Sequence, residues 1–142
     1  MPPTLSTARE QVETRLQDAA NLIYSTDTIY EALRAALSDL SNTYSTTVTL
    51  KDLDGALLTT FDDLDLHTLL VGAVAYCTRF RLVGKFEEAS PIREHPEDLA
   101  RWATEFMEEF HGLLTHVRLR RFHQAVESPY SQWDWEEGKA FS

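Results

Sequence analysis

The stretch 96-PEDLARWATEFMEEFHGLLTHVRLRRFHQAVE-127 decides the fold, because Leu99, Trp102, Phe106, Phe110, Leu113 and Val117 recur within it at steps of three and four residues. That spacing predicts one long amphipathic helix. Pro96 suits a first helical turn, and Glu97 and Asp98 complement the positive end of the helix dipole. Gly112, in the middle, weakens the helix by about 1 kcal/mol relative to alanine, which marks a bend or a close contact. Ser128-Pro129 is expected to end it. About thirty residues rising 1.5 Å each make a rod of roughly 45 Å. A compact chain of this size has a diameter of only about 35 to 40 Å. The rod must therefore project, bend or pack against a second chain.

Upstream, Leu66, Leu69, Leu70, Ala73, Val74, Cys77 and Phe80 form a wide apolar face, and Val71, Ala75 and Tyr76 extend it around most of the circumference. This segment reads as the central core helix, capped by Asp62, carrying Asp65 in its first turn and stopped by Gly84. Before it, Ser45 to Leu50 and Ala56 to Phe61 are rich in β-branched or apolar residues. The turn signal Asp52-Leu53-Asp54-Gly55 separates them. A β-hairpin at about residues 45–61 is expected. Two strands alone are marginal in water, so the hairpin needs a helix beneath it or another copy beside it.

The first helix is expected to start at Thr7, which has capping-box spacing to Glu10, and to carry Leu5, Ala8, Val12, Leu16, Ala19 and Ile23 on one seam. Asp27 or Thr28 can cap a second helix with Ile29, Leu33, Ala36, Leu37 and Leu40 as its stripe. The short connection predicts an antiparallel pair, with Glu10, Glu13, Asp18, Glu31 and Asp39 on the outer faces. The expected fold is thus mainly α, or α+β if the hairpin is counted: four helices with one β-hairpin inserted between the second and third, and a long C-terminal helix. Residues 1–128 form one domain in this reading, and residues 129–142 an aromatic-acidic tail.

With 142 residues, of which 43% are apolar, the chain can bury a core of its own. A single cysteine, Cys77, rules out an intrachain disulfide and a cysteine-rich zinc site, and a reducing cytoplasm is the simplest compartment. Neither a signal peptide nor a membrane span is expected. The net charge of −10 disfavours non-specific binding to nucleic acid or an anionic membrane and favours a basic or neutral protein partner.

Few residues are spaced for chemistry. Glu105, Glu108 and His111 include a Glu-x-x-His pair whose carboxylate and imidazole share a helix face, as in dimetal carboxylate bundles. Such bundles need a second copy of the motif, which only a dimer could supply; the same residues also suit a solvated flank. His116 and His123 are seven apart, about 10.5 Å along a helix, too far to share one ion held at about 2 Å. His67 has no nucleophile spaced to pair with it. Asp52-Leu53-Asp54-Gly55 fails as a calcium loop at its first and twelfth positions, Leu50 and Phe61. No glycine-rich phosphate loop or serine elbow is present. No catalytic residue and no cofactor are assigned.

Arg118, Arg120 and Arg121 could hold an anion or nucleic acid through their forked donors. They also lie where an antiparallel packing of the last two helices would bring them to Asp62, Asp63 and Asp65. Tyr130, Trp133, Trp135 and Phe141 form a candidate partner-binding segment, since buried aromatic anchors contribute strongly at interfaces; they could equally fold back on the last helix. The expected function is a non-enzymatic protein–protein interaction or regulatory module acting as a homodimer with an unidentified protein partner. The first alternative is a dimeric metal-dependent enzyme or metal sensor using the Glu105, Glu108 and His111 cluster. A weaker one is anion or nucleic-acid binding through the arginines.

Overall fold

The structure is a computed structural model that describes residues 2–17, 24–87 and 96–141, with side chains described for 2–17, 24–83 and 98–124. Four helices follow one another: α1 (Leu5–Leu16), α2 (Thr26–Tyr44), α3 (Leu66–Glu87) and α4 (Pro96–Phe141). Short 3-10 turns at Leu53–Gly55 and Asp63–Asp65 interrupt the long connection between α2 and α3. Among the described residues there is no strand, so the class is α.

Helix α3 is central because almost every side of it is apolar. Leu69, Leu70, Val71, Ala73, Val74, Ala75 and Cys77 are all buried, with α2 on one side and α4 on the other. From α2 come Ile29, Leu33, Ala36 and Leu40, and from α4 come Leu99, Phe110, Leu114 and Val117. The helices crowd together at Gly72, where a Cβ would stand 2.5 Å from Phe110 Cε1 and 2.9 Å from Ala36 Cβ. The missing side chain lets three helices meet at one point. Gly112, by contrast, has nothing within 4 Å of where its Cβ would lie, so it is not a close contact.

The expected hairpin at 45–61 is corrected. Val48 and Leu50 do alternate inward, as a strand would, but threonine side chains replace the backbone ladder. The Thr49 N–H donates to Thr60 Oγ1 at 2.8 Å, and the Lys51 N–H donates to Thr59 Oγ1 at 3.0 Å. Across the pair the Thr60 N–H donates to the Thr49 carbonyl at 3.0 Å and, at the turn, the Asp52 N–H donates to the Ala56 carbonyl at 2.8 Å, too few bonds for a ladder. The turn is equally unlike a two-residue hairpin turn, since Asp52, Asp54 and Gly55 all have positive φ. Short hydroxyl side chains that can bond nearby backbone compete with regular pairing in this way. Consecutive Leu57 and Leu58 add to the effect, because they break the alternation that would give a second strand a buried face. The sole bridge among the described residues is parallel, between Thr4 and Lys51.

That bridge also moves the start of α1. The Leu5 N–H donates to the Lys51 carbonyl at 2.9 Å, and Thr4, not Thr7, is the cap, accepting from the Thr7 N–H at 3.4 Å. Helix α1 stops at Leu16 because Gln17 is left-handed at φ 56°; Asp18, Ala19 and Ile23 lie outside the described residues. Ser25 caps α2, two or three residues earlier than the expected Asp27 or Thr28, by accepting from the Thr28 N–H at 3.1 Å. Glu13 is buried beside Arg9, and Asp39 accepts a hydrogen bond from Tyr76, so neither sits on a solvated face. Asp62 makes no side-chain cap, and the 3-10 turn leads directly into α3. Helix α3 passes Gly84 and ends at Glu87, and α4 passes Ser128-Pro129 and ends at Phe141. The 46 residues of α4 amount to about 69 Å of helix.

Candidate functional site

Helices α3 and α4 run antiparallel, and their register brings Arg120 of α4 to the acidic turn that starts α3. Its Nη2 donates to Asp65 Oδ2 at 2.6 Å and lies 3.9 Å from Asp62 Oδ2. Asp65 is only 1% exposed, and a buried carboxylate requires such a partner. The Tyr44 hydroxyl donates to the same Oδ2 and accepts from the Asp62 N–H at 3.2 Å. Burial, followed by the hydrogen bond to Asp65, pushes the Tyr44 phenol up to about 12. Arg121 completes the cluster from the other side, with its guanidinium 3.9 Å from the centre of the Tyr44 ring, a cation–π contact. This arrangement ties the C-terminal end of α2, the start of α3 and the middle of α4 together. Of the three candidate arginines, Arg120 and Arg121 are engaged inside the fold and Arg118 is exposed.

The candidate metal residues lie farther back along α4. Glu105, Glu108 and His111 are all exposed, and Glu108 and His111 border a pocket of about 320 Å³ shared with Arg79, Thr104 and Met107. Glu105 does not line that pocket. Among the described residues no group of three or more histidine, cysteine, aspartate or glutamate side chains is gathered closely enough to hold one ion. His67 accepts at Nδ1 from Arg15 Nη2 at 3.1 Å, which joins α1 to α3. Tyr130, Trp133, Trp135 and Phe141 fall on the helical backbone of α4, and their side chains lie outside the described residues. A larger groove, of about 590 Å³, runs between α2 and the connection beneath it, with Arg34, Ser38, Asn42 and Thr49 on its walls. Arg34 there is held by Asp54, its Nε donating to the two carboxylate oxygens at 2.9 and 3.0 Å.

Missing from the sequence reading are the apolar residues left outside. Leu64 is 76% exposed, Leu119 50% and Phe122 61%, and all three belong to the segments that Asp65 and Arg120 hold together. A signal for two of them was available. At 100° per residue, Leu119 and Phe122 point about 200° and 140° away from the buried Val117, so they cannot share its face. Leu57 and Leu58, at 83% and 70%, protrude from the same long connection as Leu64. No helix among the described residues is long and apolar enough to cross a membrane. Comparison with protein-family models, with curated proteins and with solved structures finds no match for this chain.

Proposed function

We propose that the chain is a non-enzymatic protein–protein interaction or regulatory module that acts as a homodimer. The observation that carries this reading is the length of α4 against that of the helices it packs on. Helix α3 has 22 residues and α2 has 19, whereas α4 has 46. Because Phe110 meets Gly72 and Arg120 meets Asp65, the partner helix α3 is already used up when α4 reaches Arg120. Phe141 is 21 residues further on, about 30 Å of helix. Most helical stability in proteins comes from packing of an apolar face and not from propensity. A second subunit supplies such packing, and a regulatory partner can read the composite surface.

The cytoplasm is the proposed compartment, in keeping with a lone cysteine that is buried and unpaired. The metal reading retains one specific support, the joint position of Glu108 and His111 on one pocket wall. In a dimer a second pair would have to complete the ligand set.

Native mass spectrometry of full-length protein purified without chelators tests both readings. A dimer carrying no ion is the expected result. A dimer carrying a stoichiometric transition metal would favour the alternative, and a monomer at concentrations of about 100 μM, well above ordinary dimer affinities, would overturn the proposal.

A further inference from the structure

We infer that the dimer seam lies at the end of the molecule where α3 begins, on Leu64, Leu119 and Phe122, and that its occupant is the same patch of a second copy. The inference rests on the homodimer reading and adds where and how the copies meet. Three large apolar side chains, each at least half exposed, stand on segments locked to each other by the Arg120–Asp65 pair. The part-buried bond from Arg120 to Asp65 at 2.6 Å holds the two segments together behind them. Rigid apolar anchors lose little freedom on binding, which favours a persistent contact.

Charge selects the occupant. A chain of net charge −10 repels its own copies over most of its surface, so a self-contact needs a place where both signs are present. This patch is such a place. Its α3 edge carries Asp62 and Asp63, and its α4 edge carries Arg118, all exposed. Across a twofold axis residue i of one copy meets residue j of the other and j meets i; with the axis running between the two edges, the acidic edge of each copy faces the basic edge of its partner. The apolar residues then fill the centre and the charges the rim, the usual order of a stable interface. Leu57 and Leu58 are more exposed still, but Arg34, the arginine beside that loop, is already held by Asp54 and Glu31.

Light scattering and sedimentation of the full chain over a range of concentrations test the seam. Leu119→Glu with Phe122→Glu should convert dimer to monomer while far-UV dichroism stays helical. Arg118→Glu alone and Asp63→Arg alone should each weaken the dimer by about tenfold or more, because like charges then meet at the rim. Combining the two reversals should restore affinity to within about threefold of the original, as opposite charges face each other again. A wild-type dimer that the glutamates leave intact, or reversals that fail to compensate, would overturn the seam and leave the homodimer reading standing. A wild-type monomer would overturn both. If the glutamate variant does not fold, the exposed charge reversals, which leave the core untouched, still decide.

Discussion

Replacing Gly72 and Gly112 by alanine, one at a time, separates packing from helix propensity with the same chemical change. Both glycines are helical, so both substitutions gain about 1 kcal/mol of propensity. At 112 there is nothing within 4 Å to oppose it, and Gly112→Ala should stabilise by roughly that amount. At 72 the new Cβ would stand 2.5 and 2.6 Å from Cε1 and Cζ of Phe110 and 2.9 Å from Ala36 Cβ. Carbon atoms in contact prefer about 3.5 to 4.0 Å, so the ring would have to retreat by about 1 Å. Phe110 is fully buried with the rings of Tyr76 and His111 beside it, so its retreat must displace neighbours. Overpacking of this kind costs about 1 to 3 kcal/mol. After the propensity gain, Gly72→Ala should therefore lie between neutral and about 2 kcal/mol destabilised, and about 1 to 3 kcal/mol below Gly112→Ala. Urea unfolding at one fixed protein concentration measures the gap as a change in midpoint at constant slope. Adding Phe110→Leu to Gly72→Ala, which shortens the offending ring, should recover stability beyond the sum of the single effects. Gly72→Ala as stable as Gly112→Ala would refute the three-helix contact.

The buried charge cluster makes its own prediction. Arg120→Ala leaves the Asp65 carboxylate with only the Tyr44 hydroxyl and should cost about 3 kcal/mol in urea unfolding. Asp65→Asn in the same background should return part of that loss, and no return would mean that charge is not the cause. Tyr44 and Tyr76 are both pushed up to about 12, chiefly by burial and then by their aspartate partners Asp65 and Asp39. A folded-state value above the unfolded one gives stability that is complete below about pH 10 and lost as pH rises through about 12. Tyrosinate absorbance should accordingly show a late phase near pH 12 that shrinks in Tyr44→Phe and Tyr76→Phe; one common midpoint near 10 would contradict the buried hydroxyls. Cys77 is buried and its thiol is likewise pushed up to about 12 by desolvation, so it should react with a disulfide reagent only on the unfolding timescale. Rapid modification of the native protein would place it elsewhere.

The helices were legible because their stripes are long. Ile29 to Leu40, Leu69 to Cys77 and Leu99 to Val117 each repeat at helical spacing for several turns; the first two stripes are buried apart from the half-buried Leu37, and of the third Leu99, Phe110 and Val117 are buried, Phe106 and Leu113 partly so, while Trp102 stays 41% exposed. The approach of Arg120 to the aspartates before α3 was legible too, as the consequence of two antiparallel helices with charges at matching ends, although Arg121 turns to Tyr44 and Arg118 stays exposed. Illegible was anything decided by a single partner far away in sequence. Thr59 and Thr60 look like strand residues until their hydroxyls are seen taking backbone donors at Lys51 and Thr49. Thr7 looks like a cap until Lys51 is seen satisfying Leu5. Glu13 and Asp39 look like surface charges because helical spacing gives a face but not what covers it.

Helix α4 combines both situations within a few residues. Up to Val117 its large apolar residues, the 41%-exposed Trp102 apart, are spent on this chain's own core. Immediately afterwards the apolar positions, Leu119 and Phe122, jump to the far side of the helix, while Arg120 and Arg121 keep contact with the body. Had selection favoured only a monomer, the positions outside Arg120 would be expected to be polar, as on the outer flank at Glu105, Glu108 and Glu109, which are exposed. In the proposed homodimer, the inward Arg120 serves this fold and the outward Leu119 and Phe122 serve the surface of the second copy. Under that proposal the same helix ends one hydrophobic core and begins the edge of an interface. The residues that mark the change are the ones at which perturbing the core and perturbing assembly can be separated: Val117→Ala should lower stability, while Phe122→Ala should lower association.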